Sequence, residues 1–375
     1  MIGALTNCGH AAVPATAEAE RPFTVTPVAS FSTPWAMAFL TGSGRPLLDA
    51  ALVTEKEGKL WVVDTRTGAK TAVSGVPQVH DAGQGGLGDV AVHPDFVVNR
   101  RIYLSFVEAG PNGTSGAALG YGTLDFADRA HPALRGFKVM WRQSPKVDGN
   151  GHFSHRIAFG PDRLLYLTSG ERQKFTPAQD MTVNLGKVLR LTEEGAPAPG
   201  NPSASHGGIA ATFWSIGHRN LLGLSFAPDG RLWESEMGPK GGDEINLILP
   251  GRNYGWPRAS NGSNYDGSDI PDHRPGDGFE PPKVFWNPSI SPGAMMVYSG
   301  VMFPGWKGDA LVGALSGEAL IRVDINGDKA RKADEWPMGA RIRAVDEGPN
   351  GSVWLLEDEG RLLRLDPRPQ LSARR

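Results

Sequence analysis

Residues 214–246 carry a combination of groups that a plain scaffold has no use for. His218-Arg219-Asn220 sets a cation beside an amide, just before the apolar run 221–226. A turn, Pro228-Asp229-Gly230, returns the chain into Leu232-Trp233. Gly238-Pro239-Lys240-Gly241-Gly242-Asp243-Glu244 follows, glycine-rich and acidic at once. Glycine lets backbone carbonyls turn inward, and carbonyl oxygen is the hard donor that calcium prefers. A cation and an amide next to such a loop suit an anionic cofactor held through a metal.

Three other stretches bear on the same chemistry. Residues 149–156, GNGHFSHR, place two histidines in a glycine-rich loop. A loop histidine exposed enough to titrate near neutrality suits a general base. On chemistry alone His152 and His155 are equal candidates, and an imidazole bonded to loop backbone is the plainer reading. Arg341-Ile342-Arg343 alternates, so both guanidiniums leave one side of a strand. They repel there unless an anion lies between them; solvated arginines on an edge strand are the plain alternative. Residues 83–88, GQGGLG, match a dinucleotide-binding pattern literally, but the following DVAVHPDF alternates like a strand instead of opening a helix. Those glycines let a loop pass close to a ligand or a neighbouring segment, and Gln84 becomes its interesting residue.

Two acidic clusters, 324–328 and 264–269, lack the spacing of a complete calcium loop. The first reads as a hairpin turn, and the second is a weak metal candidate. Serine-hydrolase elbows, zinc-protease helices and phosphate-binding loops are absent from the sequence.

The scaffold that must position these groups shows as a repeat. Proline, an acid or amide, a tight turn and an apolar-aromatic strand recur at 93–106, 160–170, 227–236 and 348–358, with a truncated copy at 56–64. Anchored on Trp61, Tyr103, Tyr166, Trp233 and Trp354, with 308–313 filling the widest gap, the phrase gives six units of roughly 59 residues. Turn-strand repeats without helical periodicity predict an all-β, six-bladed β-propeller. Its long connections, taken as 107–155, 172–215 and 257–300, would lie over one face. The composition agrees: 49 glycines and 30 prolines punctuate a chain that is 40% hydrophobic. A net charge of −2 gives no basic excess for nucleic acid.

Cys8 is the only cysteine, which rules out an intramolecular disulfide. Residues 5–9, LTNCG, resemble the end of a bacterial lipoprotein signal, with Cys8 as the lipidated residue, although a charged start and long apolar run are missing. The alternative for residues 1–22 is a disordered cytoplasmic tail. No run of about 18 apolar residues exists to span a membrane.

Taken together and in order, GQGGLGDVAVHPDF, HFSHRIAFGPD, WSIGHRNLLGL, GPKGGDEINLILPGRNYGWP, NPSISPGAMMVYSG and RIRAVDEGPNG resemble the glucose/sorbosone dehydrogenase family, and most nearly its soluble aldose sugar dehydrogenases. These quinoproteins use pyrroloquinoline quinone (PQQ). The resemblance covers residues 23–367, leaving 368–375 as a tail. It implies a six-bladed propeller with PQQ over one mouth, bridged by calcium. By residue, it implies His152 as catalytic base, Gln84, Arg219, Asn220, Arg341 and Arg343 as cofactor contacts, and the Gly238 and Pro239 carbonyls as metal donors. Arginine forks suit a tricarboxylate cofactor.

Two positions depart from the pattern. Ser316 stands in the strand where the glucose dehydrogenase branch has a lysine facing the cofactor, and His155 stands where small residues are usual. The implied reaction oxidises the C1 hydroxyl of an aldose to a lactone, with electrons passed to a quinone or small redox protein. That suits a periplasmic or envelope location, for a monomer or homodimer. A calcium-dependent lactonase-type propeller and a non-catalytic binding propeller are the rivals.

Overall fold

The computed structural model describes residues 21–42 and 45–369. The lipoprotein-like segment around Cys8 lies outside them. Strands take 47% of the structure and helices 6%, so the six turn-strand units do build an all-β propeller. Its innermost strands are Pro34–Gly42, Leu87–Val92, Ser154–Phe159, Leu221–Phe226, Pro292–Val297 and Ile342–Glu347. Each begins a four-stranded antiparallel sheet. The sixth sheet takes its outermost strand, Phe23–Ser30, from the start of the chain, pairing Phe23 with Pro367 of the C-terminal strand. The first and last strands among the described residues therefore close the ring.

The proline-acid phrase makes the turn between first and second strands. Asp162, Asp229 and Asn350 each accept a backbone N–H two residues on, at 3.0, 3.0 and 3.1 Å, the local bond that makes such side chains turn formers. The following aromatic is then carried into the space between sheets. Trp233 is fully buried among Val312, Ile321 and Ile245, and truncation to alanine there costs about 3–5 kcal/mol.

Two sequence expectations are corrected. Trp61 lies in the third strand of its blade, Lys59–Asp64, whereas the other aromatic anchors lie in second strands. The stretches taken as long connections contain strands: Ser115–Asp125 and Ala133–Arg142 in the first, Lys187–Leu191 in the second, and Val284–Trp286 in the third. The acidic stretch 324–328 spans a hairpin turn with Gly327 at φ 65°, as its turn chemistry predicts. Residues 83–88 lead into a strand, not a helix. Among the described residues no helix is long and apolar enough to cross a membrane.

Candidate active site

All six innermost strands carry a register shift near their first residues. A bulge bends a strand and re-aims its side chains, and here the six bulged ends converge on one cavity of about 270 Å³. Each blade contributes to its wall: Trp35, Gln84, His155, Asn220, Ser291 and the pair Arg341 and Arg343. Four of the predicted cofactor contacts are thus brought together. Arg219, His152, Gly238 and Pro239 are not among its lining residues, although the first three adjoin the lining residues Asn220, Phe153 and Met237 in the chain.

His152 and Gln84 are locked to each other. Gln84 Oε1 accepts the His152 backbone N–H at 2.8 Å, and the Gln84 N–H donates to Asn150 O at 2.8 Å. Gly83, at φ 58°, makes this approach possible, because a Cβ would come within 2.5 Å of Asn150 O. His152 Nδ1 meets Glu171 Oε1 at 2.5 Å. Glu171 also accepts the N–H groups of Gln173, Lys174 and Phe175 at 3.0, 2.6 and 2.6 Å. Burial works against its charge, yet His152 and these amides hold the carboxyl below its ordinary range. An ionised Glu171 requires the Nδ1–H tautomer and leaves Nε2 as the basic nitrogen. Burial pushes the His152 pKa down, against the pull of Glu171. Sequence reasoning missed Glu171, which lies 19 residues from His152.

The loop histidines are not exposed as the sequence suggests. His152 is 6% and His155 1% accessible. His155 lies in the floor, stacked on Trp35 with ring centroids 5.1 Å apart, its Nδ1 2.8 Å from Ser105 Oγ. A Cβ on Gly88 would come within 1.9 Å of its ring. Burial, reinforced by the Arg156 charge, lowers its pKa to about 3, so it is a neutral imidazole at ordinary pH.

Between Arg341 and Arg343 lies an anion from the protein itself. Their Nε atoms donate to the two oxygens of Asp358 at 2.9 and 2.7 Å. Burial opposes the Asp358 charge, but the two guanidiniums hold its pKa below the usual range.

Arg219 donates through Nη1 to Met237 O and Gly238 O at 2.9 and 2.6 Å, while its buried Nε has no hydrogen-bond partner. Asn220 Nδ2 finds only the thioether of Met237, at 3.7 Å. His218 turns the other way, into a buried cluster with Glu234 and Glu236. One ligand atom from each lies within 4.8 Å of the others. Asn246 Nδ2 reaches Glu234, Glu236 and Glu244 at 3.2, 3.3 and 3.2 Å. Burial, then the charge of Glu236, raises Glu234 and Glu244 well above ordinary carboxyl values. This acid cluster was not legible in the sequence. The other candidate, 264–269, is an exposed turn closed on itself by Asp266 and Ser268.

The family profile for Glucose / Sorbosone dehydrogenase matches residues 31–364. The chain is 39% identical to the aldose sugar dehydrogenase YliI of Escherichia coli (strain K12), over 89% of this chain and 90% of that protein. The apo crystal structure of the soluble Escherichia coli aldose sugar dehydrogenase superposes with a TM-score of 0.85, at 38% identity, covering 92% of this chain and 100% of that one. The PQQ-bound form of an aldose sugar dehydrogenase from Streptomyces coelicolor gives 0.73 at 29% identity, covering 92% and 98%. This chain belongs to the glucose/sorbosone dehydrogenase family.

Proposed function

We propose that the protein is a PQQ- and calcium-dependent aldose sugar dehydrogenase that oxidises the C1 hydroxyl to a lactone. The observation that carries this reading is a surplus of donors at the cavity. Arg219 Nε is buried and unpartnered, Asn220 Nδ2 has only a sulfur, and two guanidiniums share one carboxylate. Buried donors left without acceptors are costly, and a planar polycarboxylate satisfies them bidentately. None of the residues lining the cavity is acidic. That favours an anion-binding dehydrogenase over a hydrolase whose metal is held by carboxylates from several blades.

Bound there, PQQ supplies the acceptor for the hydride leaving sugar C1. Gln84, Asn220, Arg219, Arg341 and Arg343 hold the cofactor, and His152 Nε2 takes the C1 hydroxyl proton. Glu171 fixes the tautomer and steadies the imidazolium that forms. His155, neutral and stacked on Trp35, packs the floor and takes no proton.

Calcium is assigned to the Gly238 and Pro239 carbonyls. The Gly238 oxygen already accepts from Arg219, so this assignment has the guanidinium turn toward the cofactor. Electron transfer to a quinone or small redox protein, and an envelope location through Cys8, complete the proposal. Titrating apoprotein with PQQ, with and without calcium, and assaying dye-linked glucose oxidation tests it. Failure to bind PQQ under both conditions would overturn it.

A further inference from the structure

We propose that Lys56 is a cofactor-binding residue whose ammonium takes one carboxylate of the bound anion. This inference rests on the PQQ reading of the cavity. Lys56 sits in the turn between Arg45–Glu55 and Lys59–Asp64 of the first blade, a stretch whose Lys-Glu-Gly composition is that of any hairpin. Its backbone is fixed at both ends. The N–H donates to Thr33 O and the carbonyl accepts from Leu87 N, each at 2.9 Å. Gly86 lies so close that a Cβ there would come within 2.3 Å of Lys56 O, at a φ of 114° that a side chain rarely adopts. The base of the lysine is thereby clamped against the loop that carries Gln84.

The side chain then runs along the cavity wall, 29% exposed. Nζ donates to Gly83 O at 2.7 Å, and Asp81 stands at 4.0 Å, the outer limit of an ion pair. An ammonium has three protons to donate, so donors remain for a ligand in the cavity.

The number of carboxylates on the proposed ligand gives these donors a purpose. Arg341 and Arg343 share Asp358, so as a group they offer one net positive charge, and Arg219 offers a second. A tricarboxylate brings three negative charges. The fifth blade adds only Ser291 and Leu315 to the lining, and Ser316 is turned to Ser291 Oγ at 2.9 Å. Among the described residues that line the cavity, Lys56 is the one cation other than the arginine pair. It enters from the first blade and adds a cationic donor for a carboxylate that the arginines do not take.

The test measures binding, not turnover. Apoprotein is titrated with PQQ by calorimetry, or by quenching of the fluorescence to which Trp35 contributes, for wild type, K56A and K56R at low and high salt. Loss of one charge-assisted contact predicts roughly 10- to 100-fold weaker binding for K56A. K56R should stay within a few-fold, both apoproteins should melt with wild type, and the salt dependence should be shallower in K56A. PQQ binding by K56A equal to wild type overturns the proposal. So does equal loss in K56A and K56R with lowered melting temperatures, which would make Lys56 a tether for the Gly83 loop. If wild type itself binds no PQQ, the cofactor reading falls and this inference with it. Wild-type binding with an indifferent K56A removes Lys56 alone.

Discussion

On one side of the cavity the loop 149–156 holds its side chains by backbone shape; on the other, Arg341 and Arg343 are held by a carboxylate they share. His152, Ser154 and His155 all take left-handed φ values of 50°, 60° and 62°. Each costs on the order of 1–3 kcal/mol, and all three side chains are buried. The surroundings fix them further: Glu171 takes His152, Leu221 N–H donates to Ser154 Oγ at 2.9 Å, and Ser105 meets His155. The arginines carry no such strain. Their side chains are 40% and 16% exposed, and their common partner Asp358 is 28% exposed. A strained, enclosed loop suits a group whose position decides a rate. A half-open ion cluster suits groups that trade one anion for another. Changes in the loop should therefore appear in kcat, and changes in the arginines in affinity and its salt dependence.

The largest effect expected is that of His152→Ala. Loss of a positioned base should lower kcat by about 10²–10⁴-fold, while PQQ affinity from titration stays within a few-fold. A variant that keeps near-wild-type kcat would take the base away from this loop. Arg343→Ala comes next. It should weaken PQQ binding by about 2–5 kcal/mol, the range for truncating a desolvated charge partner, and Arg341→Ala by less because that side chain is more exposed. Equal kcat at saturating PQQ is part of the expectation. A large fall in kcat with unchanged affinity would erase the contrast between the two sides.

How much of this could be read from the chain depended on where partners lie. The proline-acid turns were legible because an Asx-type turn needs particular residues within three positions. Outer strands such as Lys329–Pro337 were not, since KARKADEWP shows little apolar alternation. Their formation depends on pairing with an inner neighbour, here Ala319–Asn326. Gln84, Asn220, Arg341 and Arg343 stood out by residue type and local spacing, and the family resemblance named them as cofactor contacts; all four line the cavity. Glu171, Asp358 and Lys56 were missed because an ordinary Glu, Asp or Lys acquires meaning only from a partner across a blade or between blades. The same holds for Glu234, Glu236 and Glu244, which look like solvated strand acids in sequence and are 0%, 4% and 6% exposed.

Glu171→Gln should give a smaller change than either histidine or arginine truncation. The amide oxygen can still accept from His152 Nδ1, so the tautomer survives while the charge that steadies the imidazolium is lost. A charged hydrogen bond exceeds a neutral one by about 1 kcal/mol, so a fall in kcat of roughly 5- to 10-fold with unchanged PQQ affinity is expected. Loss as large as that of His152→Ala would mean that the three loop amides, not the imidazole, are what Glu171 serves.

The smallest effect is a displacement along the pH axis, and its sign follows from the two opposing influences on His152. Burial lowers its pKa and Glu171 raises it, with the net result below the ordinary value of 6.5. With His152 in the proposed role, the base works as the neutral imidazole, so the rate should be level through neutrality and fall only as pH drops below about 6.5. In Glu171→Gln the raising influence is weakened while burial remains. The acid limb of kcat should then move to still lower pH, even though the plateau is lower. His155, near 3, stays neutral across this window and cannot produce the limb. Its buried state acts on stability instead. Its folded pKa lies below the unfolded value, so the stability it contributes is present above about 6.5 and is lost as pH falls toward 3. Kinetic and melting profiles on the same samples separate the two groups. A limb that moves upward in Glu171→Gln, or that follows the loss of folded protein, would show that the rate does not report the proton on His152.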